Sequence, residues 1–417
     1  MTITISTPVG DTSINSTEPV IVTQTGIVDG TNGLSFEGGS DPGTAIVAGS
    51  VLGTAEAVSM NGDDFLTITA TGLVAAQDGV GADGVRVFGT GNVITVQGTI
   101  LALDAGIIAF NDSDMLVTIS SSGLVQGGSN GRGADGGAYS AAIASSSSAT
   151  IENAGTIIGD FNPENGLRIA ILNGGVADAA PTGFDLSGDV GMVVKNSGTI
   201  IGDILLGAGV DTYESTGGGI VDGTISMGDG DDVVRGGKGL DVASGGSGND
   251  EMRGGAGNDA FAGGTGDDEL RGGRDDDTLR GGGGNDVIRG GSGEDGLTGA
   301  GGDDDIRGGS GEDTIQGGGG SDKIAGGAGD DKLSGNGGFD TFIFKGRFGI
   351  DTITDFATSN QEKINLAAVT SIANFNDLAN NHLSQIGSDA LIEDGLGNQI
   401  ILEDFEVANL QAGDFIF

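Results

Sequence analysis

Short apolar runs separated by glycine turns recur along residues 1–226 and predict strands that stack coil upon coil. An alternating apolar stretch, a turn ending in glycine and a second apolar run occur at residues 20–30, 45–54, 66–76, 93–102, 117–127, 150–160 and 193–203. The turns share a marker glycine, at Gly26, Gly49, Gly72, Gly98, Gly123, Gly155 and Gly198, spaced by 23 to 43 residues. Strands of this length separated by turn residues are typical of repeated β-structure.

A second column of alternating segments lies between these runs: LSFEGGSD, AVSMNGDD, VRVFGTGN, IIAFNDSD and RIAILNGG. Two or three strands per repeat predict a parallel β-solenoid, in which each coil stacks its inward Val, Ile and Leu on the next coil. A sandwich of antiparallel hairpins is the alternative. The near-identity of NAGTIIGD and NSGTIIGD favours stacked coils.

The pattern becomes strict over residues 227–343, where G-G-x-G-x-D-x-U-x, with U a large apolar residue, repeats thirteen times without insertion. Position six is always aspartate: Asp232, Asp241, Asp250, Asp259, Asp268, Asp277, Asp286, Asp295, Asp304, Asp313, Asp322, Asp331 and Asp340. Position eight is apolar in every unit, from Val234 to Phe342. An acidic glycine-rich linker would not keep position eight apolar, so the pattern predicts folded structure. A degenerate copy, residues 206–214, lies just upstream and out of register.

Residues 344–417 contain less glycine and more phenylalanine, with strand-like stretches at 351–356, 390–395 and 399–405 and a helix expected near 374–383. We interpret this segment as a small cap over the last apolar layer of a repeat stack. The sequence thus predicts an all-β chain with three domains: a β-solenoid over 1–226, a β-roll of nonapeptides over 227–343 and a C-terminal cap over 344–417.

The amino-acid composition limits the kinds of partner that the chain can bind. Asp and Glu number 60 against 17 Lys and Arg, a formal net charge of −43, which argues against nucleic acid and against anionic lipid. The complement is a cation, and carboxylates on glycine turns suit a hard divalent one. There is no Cys, no apolar run approaches a membrane span, and residues 1–10 do not look like a secretory signal. We therefore expect any export address at the other end of the chain.

The nonapeptide spacing fits calcium in particular. A six-residue turn and a three-residue strand make a flattened coil in which unit n stacks on unit n+2. Glycine lets the turn backbone reach positive φ and brings carbonyl oxygens together, and the position-six carboxylate joins them. Calcium takes six to eight oxygen ligands in loose geometry, which the gap between stacked turns can supply. Multiple calcium ions are therefore expected, with folding and binding coupled.

The nonapeptides resemble those of the RTX (repeats-in-toxin) family, and residues 344–417 are similar to the C-terminal module of serralysin-type proteins. The resemblance implies that each calcium is held by position-six aspartates and turn carbonyls of stacked units. It also implies an extracellular or cell-surface location and export by a type I secretion apparatus that reads an uncleaved C-terminal signal. Asp414-Phe415-Ile416-Phe417 matches such a signal, an acidic residue followed by hydrophobic ones.

Four residues depart from the repeat. Met227 replaces the first glycine of unit one, Ala300 the second glycine of unit nine, Asp275 the position-four glycine of unit six and Asn336 the second glycine of the last unit. Asp and Asn tolerate a left-handed backbone and Ala does so poorly. The site near Ala300 is therefore expected to be the weakest.

Catalytic chemistry finds little support in residues 1–226. The only histidine is His382 in the cap, so a zinc HExxH site and a Ser-His-Asp triad are impossible there. Parallel β-helices also host polysaccharide lyases and epimerases, which use carboxylates with basic residues. The candidates for such a site are Asp63, Asp64, Asp83, Asp112 and Asp114 with Arg86, Arg132 or Arg168.

The Tyr- and His-containing acidic motif of mannuronan-epimerase-like enzymes has no counterpart, because neither Tyr139 nor Tyr213 neighbours a histidine. The leading interpretation is a secreted structural, surface-layer or adhesive protein that contacts a surface or matrix polysaccharide, with loops at 129–148 and 161–189 as a recognition face. The alternative is an extracellular polysaccharide-acting enzyme of the lyase or epimerase type. A membrane-active toxin is the weakest reading, since no amphipathic or apolar pore segment occurs.

Overall fold

The structure is a computed structural model, and it describes residues 3–14, 19–30, 33–36, 42–76, 82–103, 105–127, 141–145, 148–159, 169–173, 191–358 and 361–417. The chain is nearly all β, with about 4 % helix, and residues 20–368 contain about 14 turns of parallel β-solenoid. The predicted fold class is thereby confirmed. The chain divides into two compact units, Met1–Val233 and Val234–Phe417. Among the described residues, no helix is both long and apolar enough to cross a membrane.

The N-terminal unit is a three-sided coil, and each side is a parallel sheet. Its first face consists of Ile3–Ile5, Val20–Val22, Thr44–Val47, Phe65–Ile68, Val93–Val96, Met115–Ile119, Ala149–Asn153, Val193–Asn196 and Thr212–Ser215. Its second face consists of Ile27–Gly30, Ser50–Gly53, Leu73–Ala76, Thr99–Ala102, Leu124–Gly127, Thr156–Gly159, Thr199–Ile201 and Ile220–Asp222. Its third face consists of Thr12–Ile14, Leu34–Phe36, Glu56–Asn61, Asp83–Thr90, Ile107–Ser113, Ala141–Ser145, Ile169–Asn173, Asp203–Leu205 and Ile225–Asp229. Parallel pairing within each face rules out the antiparallel sandwich.

The marker glycines stack at the corner between the first two faces. The N–H of Leu73 donates to the carbonyl of Gly49 at 2.9 Å, and that of Thr99 donates to Gly72 at 3.0 Å. A Cβ on Gly98 would lie closer than 3.0 Å to the Gly72 carbonyl oxygen. The backbones approach so closely at this corner that only glycine fits, which explains why this residue marks the repeat.

Apolar ladders fill the interior of the N-terminal unit. Seven of the eight strands of the second face each contribute a fully buried residue: Val28, Val51, Val74, Ile100, Val125, Ile157 and Ile200. On the first face the inward ladder changes from Ile119 to Asn153 and Asn196. The Nδ2 of Asn153 donates to Oδ1 of Asn196 at 2.9 Å, and Nδ2 of Asn196 donates to the carbonyl of Ile220 at 3.1 Å, so both buried amides have partners.

The C-terminal unit is a two-sided roll followed by a cap. One face of the roll consists of Glu251–Ala256, Glu269–Arg274, Val287–Ser292, Asp305–Ser310, Lys323–Ala328, Thr341–Lys345 and Lys363–Ala368. The other consists of Val242–Ser247, Ala260–Thr265, Thr278–Gly283, Gly296–Gly301, Thr314–Gly320, Lys332–Gly338 and Ile350–Ile353. Val233–Gly237 spans the boundary between the two units.

Within the C-terminal unit, parallel register joins nonapeptides that lie 18 residues apart, as in Leu270 with Ile288 and Ile288 with Ile306. This confirms the stacking of unit n on unit n+2. The position-eight side chains form the thin core, and all are 0–5 % exposed: Val234, Ala243, Met252, Phe261, Leu270, Leu279, Ile288, Leu297, Ile306, Ile315, Ile324, Leu333 and Phe342.

The cap adds Leu383–Ile386, Asp389–Glu393, Gln399–Leu402 and Phe415–Ile416. Its strands pair antiparallel except that Gln399–Leu402 runs parallel to Ile350–Ile353 and Phe415–Ile416 runs parallel to the strand of Ile364. Its helical turns are Phe375–Asp377, the π-helical Leu378–His382, Val407–Asn409 and Ala412–Asp414. Phe356 packs against Phe342 of the last nonapeptide and against Phe405 of the cap, with ring centroids 6.4 and 5.5 Å apart. Aromatic contacts thus cover the last layer of the roll.

Candidate metal centre

The position-six aspartates of the C-terminal unit form two columns, one on each side of the roll. The first column contains Asp241, Asp259, Asp277, Asp295, Asp313 and Asp331, and the second contains Asp250, Asp268, Asp286, Asp304, Asp322 and Asp340. These side chains are 0–4 % exposed. Asp232, of unit one, is also buried and lies in the N-terminal unit. Carboxylates are rarely buried without partners, so the columns need a physical account.

One oxygen of ten of these twelve carboxylates, those from Asp259 to Asp340, accepts a backbone N–H of the preceding coil. The backbone N–H of Asp241 donates to Oδ1 of Asp259 at 2.9 Å, and Asp259 donates in the same way to Asp277 at 2.8 Å. Ten such bonds, all 2.8–2.9 Å long, run through the two columns of the array. This bond fixes both the side-chain rotamer and the distance between neighbouring turns.

The second oxygen has no such donor. Among the described residues, Oδ2 is buried without a hydrogen-bond partner in Asp241, Asp259, Asp268, Asp277, Asp286, Asp295, Asp304, Asp313, Asp322, Asp331 and Asp340. A buried polar atom left unsatisfied costs about 1–3 kcal/mol, and more when it is charged. One such oxygen would be an exception, but a regular series of them is what a row of bound cations would account for.

A main-chain oxygen faces the same space. A Cβ built on Gly290, at position one of its turn, would collide with Oδ2 of Asp295 and would lie 2.8 Å from the carbonyl oxygen of Gly308, one coil later. The position-one glycines from Gly236 to Gly335 all meet the position-six Oδ2 of their own turn in this way. We call this oxygen-lined space beside the position-one glycine the cradle. A side chain at position one would fill it, so glycine is needed here for room rather than for φ.

Charge accumulates along the columns. Burial, the largest cause, and the carboxylates one coil away together raise the pKa of Asp277 and Asp313 to about 7. The same causes raise the pKa of Asp286 and Asp322 to about 7. Burial, the largest cause, also raises the pKa of Asp241 and Asp304 to about 6. A divalent cation between the turns would replace this repulsion by attraction, and the donor set fits one.

The donor chemistry fits calcium better than zinc or magnesium. In the described ranges, no three Asp, Glu, His or Cys side chains converge on one point, so carbonyl oxygens have to supply many of the ligands. Zinc prefers Cys and His ligands, and magnesium demands a near-octahedral shell with several waters. A site of carboxylate and carbonyl oxygens with loose geometry is typical of calcium.

The departures from the repeat have structural consequences of two kinds. Ala300, Asp275 and Asn336 take up the positive φ of the glycines they replace, at 88°, 70° and 63°. Beside Ala300, Gly299 keeps its cradle open toward Asp304. Met227 instead places a buried side chain at position one of the Asp232 turn, where the other units have room. On this geometry the turn of Asp232 has the least room for an ion. The strain expected at Ala300 is a separate effect, on the backbone of its own turn.

Three further buried carboxylates were not assigned to the columns from the sequence. Among the described residues Asp211, Asp351 and Glu362 each keep one oxygen buried without a hydrogen-bond partner. Burial raises the pKa of Asp351 to about 8 and that of Asp211 and Glu362 to about 7. Asp211 belongs to the degenerate copy at 206–214, and its position-one residue is Leu206 rather than glycine.

The carboxylates proposed for polysaccharide chemistry are used structurally where they are described. Asp64 is buried, and its two oxygens accept backbone N–H groups of Gly43 and Asn61, each at 2.8 Å. Arg86 donates to Asp83 at 2.8 Å and to Glu56 at 3.0 Å. Asp63 and Asp114 are exposed.

The other residues singled out contribute no assembled active site among the described residues. The side chain of Asp112, the residues Arg132, Arg168 and Tyr139, and most of the loops at 129–148 and 161–189 lie outside the described residues. Tyr213 is buried in the first face of the N-terminal unit. Nδ1 of His382 lies 2.6 Å from the carbonyl oxygen of Glu393, which fixes the ring within the cap.

Comparison with known proteins agrees with the array. The family model of the RTX calcium-binding nonapeptide repeat matches residues 228–261, 262–297, 285–315, 298–333 and 307–342. No curated protein matches the chain. Similar solved structures include the extracellular lipase LipA from Serratia marcescens, at 17 % identity over 53 % of this chain, with a TM-score of 0.22. The chain spans 45 % of that lipase.

Another similar structure is the AlgE6R3 subunit of the Azotobacter vinelandii mannuronan C5-epimerase. It shares 29 % identity over 37 % of this chain and 80 % of the subunit, with a TM-score of 0.19.

Proposed function

We propose, from the premise that residues 228–342 are RTX calcium-binding nonapeptide repeats, that this chain is a secreted protein folded by calcium outside the cell. The observation that supports the proposal is the regular series of buried Oδ2 atoms, each facing a cradle and without a hydrogen-bond donor among the described residues. The position-six aspartates from Asp232 to Asp340 are the proposed carboxylate ligands. The thirteen units offer at most eleven stacked pairs for ions, since each pair joins unit n to unit n+2.

Calcium and folding are coupled because the roll is too thin to fold unaided. Ordering the backbone costs about 1–2 kcal/mol per residue, and each nonapeptide buries only one large apolar side chain for nine ordered residues. The columns add repulsion between buried carboxylates. Ions that bind only the folded roll offset both costs, so binding free energy becomes folding free energy. We expect affinities near those of extracellular modules, about 10⁻⁴–10⁻³ M.

The coupling between calcium binding and folding would make export from the cell a one-way process. Where calcium is scarce the array stays unfolded and can pass through a type I secretion channel, and where calcium is abundant it folds and cannot return. Asp414 to Phe417 is the proposed end of the export signal. Deleting residues 358–417 should keep the protein inside the cell, whereas trimming residues 1–10 should leave release unchanged. The opposite pattern would refute this route.

For the N-terminal unit we propose a structural role, as a scaffold or an adhesive surface. Hydrolysis, elimination and epimerisation need an acid or base with a tuned pKa that can reach the substrate. In the part of the chain that the structure describes, Asp64 is occupied by backbone N–H groups and Asp83 by Arg86. These contacts favour the scaffold over the polysaccharide-acting enzyme.

The test of calcium-dependent folding uses the full chain. Hydrogen exchange of residues 241–343 is followed by mass spectrometry while calcium rises to about 10 mM, well above the expected affinity range. We expect these amides to become protected together, in one cooperative transition. Magnesium at equal concentration serves as the matched control and should give little protection. Equal protection with and without calcium, or equal action of magnesium, would refute the proposal.

A further inference from the structure

We propose that the calcium columns continue past the nonapeptide array, and that Asp351 is a metal ligand in a fourteenth turn, residues 346–351. This inference rests on the proposed calcium-dependent folding and extends it to residues that the family model does not match. Gly346-Arg347-Phe348-Gly349-Ile350-Asp351 keeps glycine at positions one and four and aspartate at position six. Phe344 and Lys345 are inserted before it, so Asp351 falls 11 residues after Asp340 instead of nine.

The backbone register supports the assignment. Thr352 and Ile353 pair in parallel with Lys332 and Leu333, positions seven and eight of unit twelve. The N–H of Thr352 donates to the Asp331 carbonyl at 2.8 Å, as Lys332 does to Asp313 one coil earlier. Ile353 is fully buried, like the position-eight residues of the array. The turn at 346–351 therefore stacks on the turn of Asp331.

Side-chain bonds repeat the pattern of the column. The N–H of Asp331 donates to Oδ1 of Asp351 at 3.0 Å, which is the interlocking bond of the array. At position five, the N–H of Ile350 donates to Oδ1 of Asp330 at 2.8 Å, as Asp303 does to Asn285 at 2.8 Å within the array. Two separate hydrogen-bond ladders thus reach Asp351 in the same register.

The free oxygen is the observation that indicates a ligand. Asp351 is 0 % exposed, and its Oδ2 has no hydrogen-bond donor among the described residues. At position four, Gly349 has φ 85°, and a Cβ there would collide with the Gly329 carbonyl oxygen, as the glycines of the array do with theirs. A buried carboxylate oxygen without a hydrogen-bond donor is also what the eleven array aspartates named above present.

Position one of this turn differs from position one of the array turns, and the difference lowers the calcium affinity that we expect. Gly346 and Arg347 are exposed, and a Cβ on Gly346 would meet nothing within 4 Å. Gly346 therefore does not approach the Asp351 carboxylate, and the close position-one contact of the array cradles is missing here. We expect this site to be weaker than those of the array and to fill last.

The site would link calcium to the cap. Ile350–Ile353 pairs with Gln399–Leu402, which in turn pairs with Asp389–Glu393. An ion between the turns of Asp331 and Asp351 stabilises the strand on which these two cap strands are built. The cap should consequently become ordered only at the upper end of a calcium titration.

The test compares three variants of the full chain: Asp351→Asn, Asp295→Asn in the array, and Glu403→Gln, an exposed carboxylate of the cap, as the control. Asparagine keeps the shape and the Oδ1 acceptor but removes the charge. Native mass spectrometry counts bound calcium ions, and hydrogen exchange reports protection at residues 389–402. We expect Asp351→Asn to bind one ion fewer and to lose cap protection at saturating calcium, with Glu403→Gln unchanged.

The change in hydrogen-exchange protection in the absence of calcium distinguishes a metal ligand from a carboxylate with a purely structural role. Neutralising Asp351 removes a buried charge, so in chelator the variant should be protected at least as well as the parent chain. If Asp351→Asn binds as many ions as the parent while Asp295→Asn loses one, the extension into the cap is wrong and the array sites stand. If neither variant loses an ion, the proposed calcium sites themselves fail.

Discussion

Asp313 donates its backbone N–H to Oδ1 of Asp331 at 2.9 Å, and Oδ2 of the same Asp331 carboxylate has no hydrogen-bond donor among the described residues. One oxygen fixes the distance between two coils, and the other presents its charge to the gap that this distance creates. Experiments can test three properties of such a turn separately, because they depend on different residues. These are the room beside the carboxylate, the backbone conformation of the turn and the charge of the carboxylate.

The room in the cradle is tested by two glycines of one turn. A Cβ on Gly281 would collide with Oδ2 of Asp286, whereas a Cβ on Gly283 would meet nothing within 4 Å. We expect Gly281→Ala to lose one ion and to destabilise the calcium-loaded fold by about 1–3 kcal/mol, the cost of a buried group without its partner. Gly283→Ala should change little. Calcium counts by native mass spectrometry and urea unfolding in calcium check this, and equal effects of the two changes would contradict it.

Backbone strain is tested at Ala300, which has φ 88° at position two of its turn. A left-handed backbone costs a non-glycine residue about 1–2 kcal/mol, so Ala300→Gly should stabilise the calcium-loaded fold by about 1 kcal/mol. Ala328 stands at position three, where φ is not positive, and Ala328→Gly should destabilise by up to about 1 kcal/mol. Denaturant unfolding at fixed calcium measures both signs. Destabilisation by Ala300→Gly would show that the turn is not strained.

The pH dependence should have opposite signs with and without calcium. Burial raises the pKa of Asp277, Asp286 and Asp313 from 3.8 to about 7, so the folded roll binds more protons than the unfolded chain between these values. By linkage, the stability of the metal-free roll falls as pH rises from about 4 to about 7. Protons compete with calcium for the same oxygens, so calcium affinity rises over that interval.

Hydrogen exchange of residues 241–343, corrected for intrinsic rates, measures both effects. In chelator we expect more protection at pH 5 than at pH 7.5, and in calcium a lower midpoint concentration at pH 7.5. Protection that increases with pH in chelator would contradict the assignment of buried, repelling carboxylates.

The ion pairs of the N-terminal unit test the proposal that its charged residues have a structural role. Asp83 is buried beneath Arg86, and Arg86→Met would leave it without this cation at a cost of about 3 kcal/mol. The double change Asp83→Asn with Arg86→Met should recover much of that loss. As a matched surface pair, Lys195 and Glu152 are both 45 % exposed, and Lys195→Met should cost less than about 1 kcal/mol. If the double variant stays as unstable as Arg86→Met, Arg86 has a role besides its ion pair with Asp83.

The enzyme alternative is tested at its three candidate arginines, Arg86, Arg132 and Arg168. We expect no rise in ultraviolet absorbance when the calcium-loaded protein is mixed with alginate or pectate. If unsaturated products form and one of Arg86→Ala, Arg132→Ala and Arg168→Ala abolishes them while Lys195→Met does not, the N-terminal unit is an enzyme and the scaffold proposal is wrong.

Much of the fold was predictable because its repeats are dictated by close backbone packing. Gly49 and Gly72 mark the solenoid, since a Cβ at these corners would strike the previous coil. Asp351 was missed because the two inserted residues, Phe344 and Lys345, break the nine-residue register while the three-dimensional stacking tolerates them. The partners of Asp64 and Asp83 could not be predicted either. They depend on which residues of distant coils become neighbours, and coil length in this unit varies.

The position of the metal is the most direct test of the account. Crystals of the calcium-loaded full chain, measured at long wavelength, would show calcium by its anomalous scattering. We predict two rows of peaks between successive turns, each beside a position-one glycine such as Gly290 and within about 2.3–2.6 Å of a position-six Oδ2 such as that of Asp295. Peaks confined to exposed turn carboxylates such as Asp276, with none between the stacked turns, would contradict it.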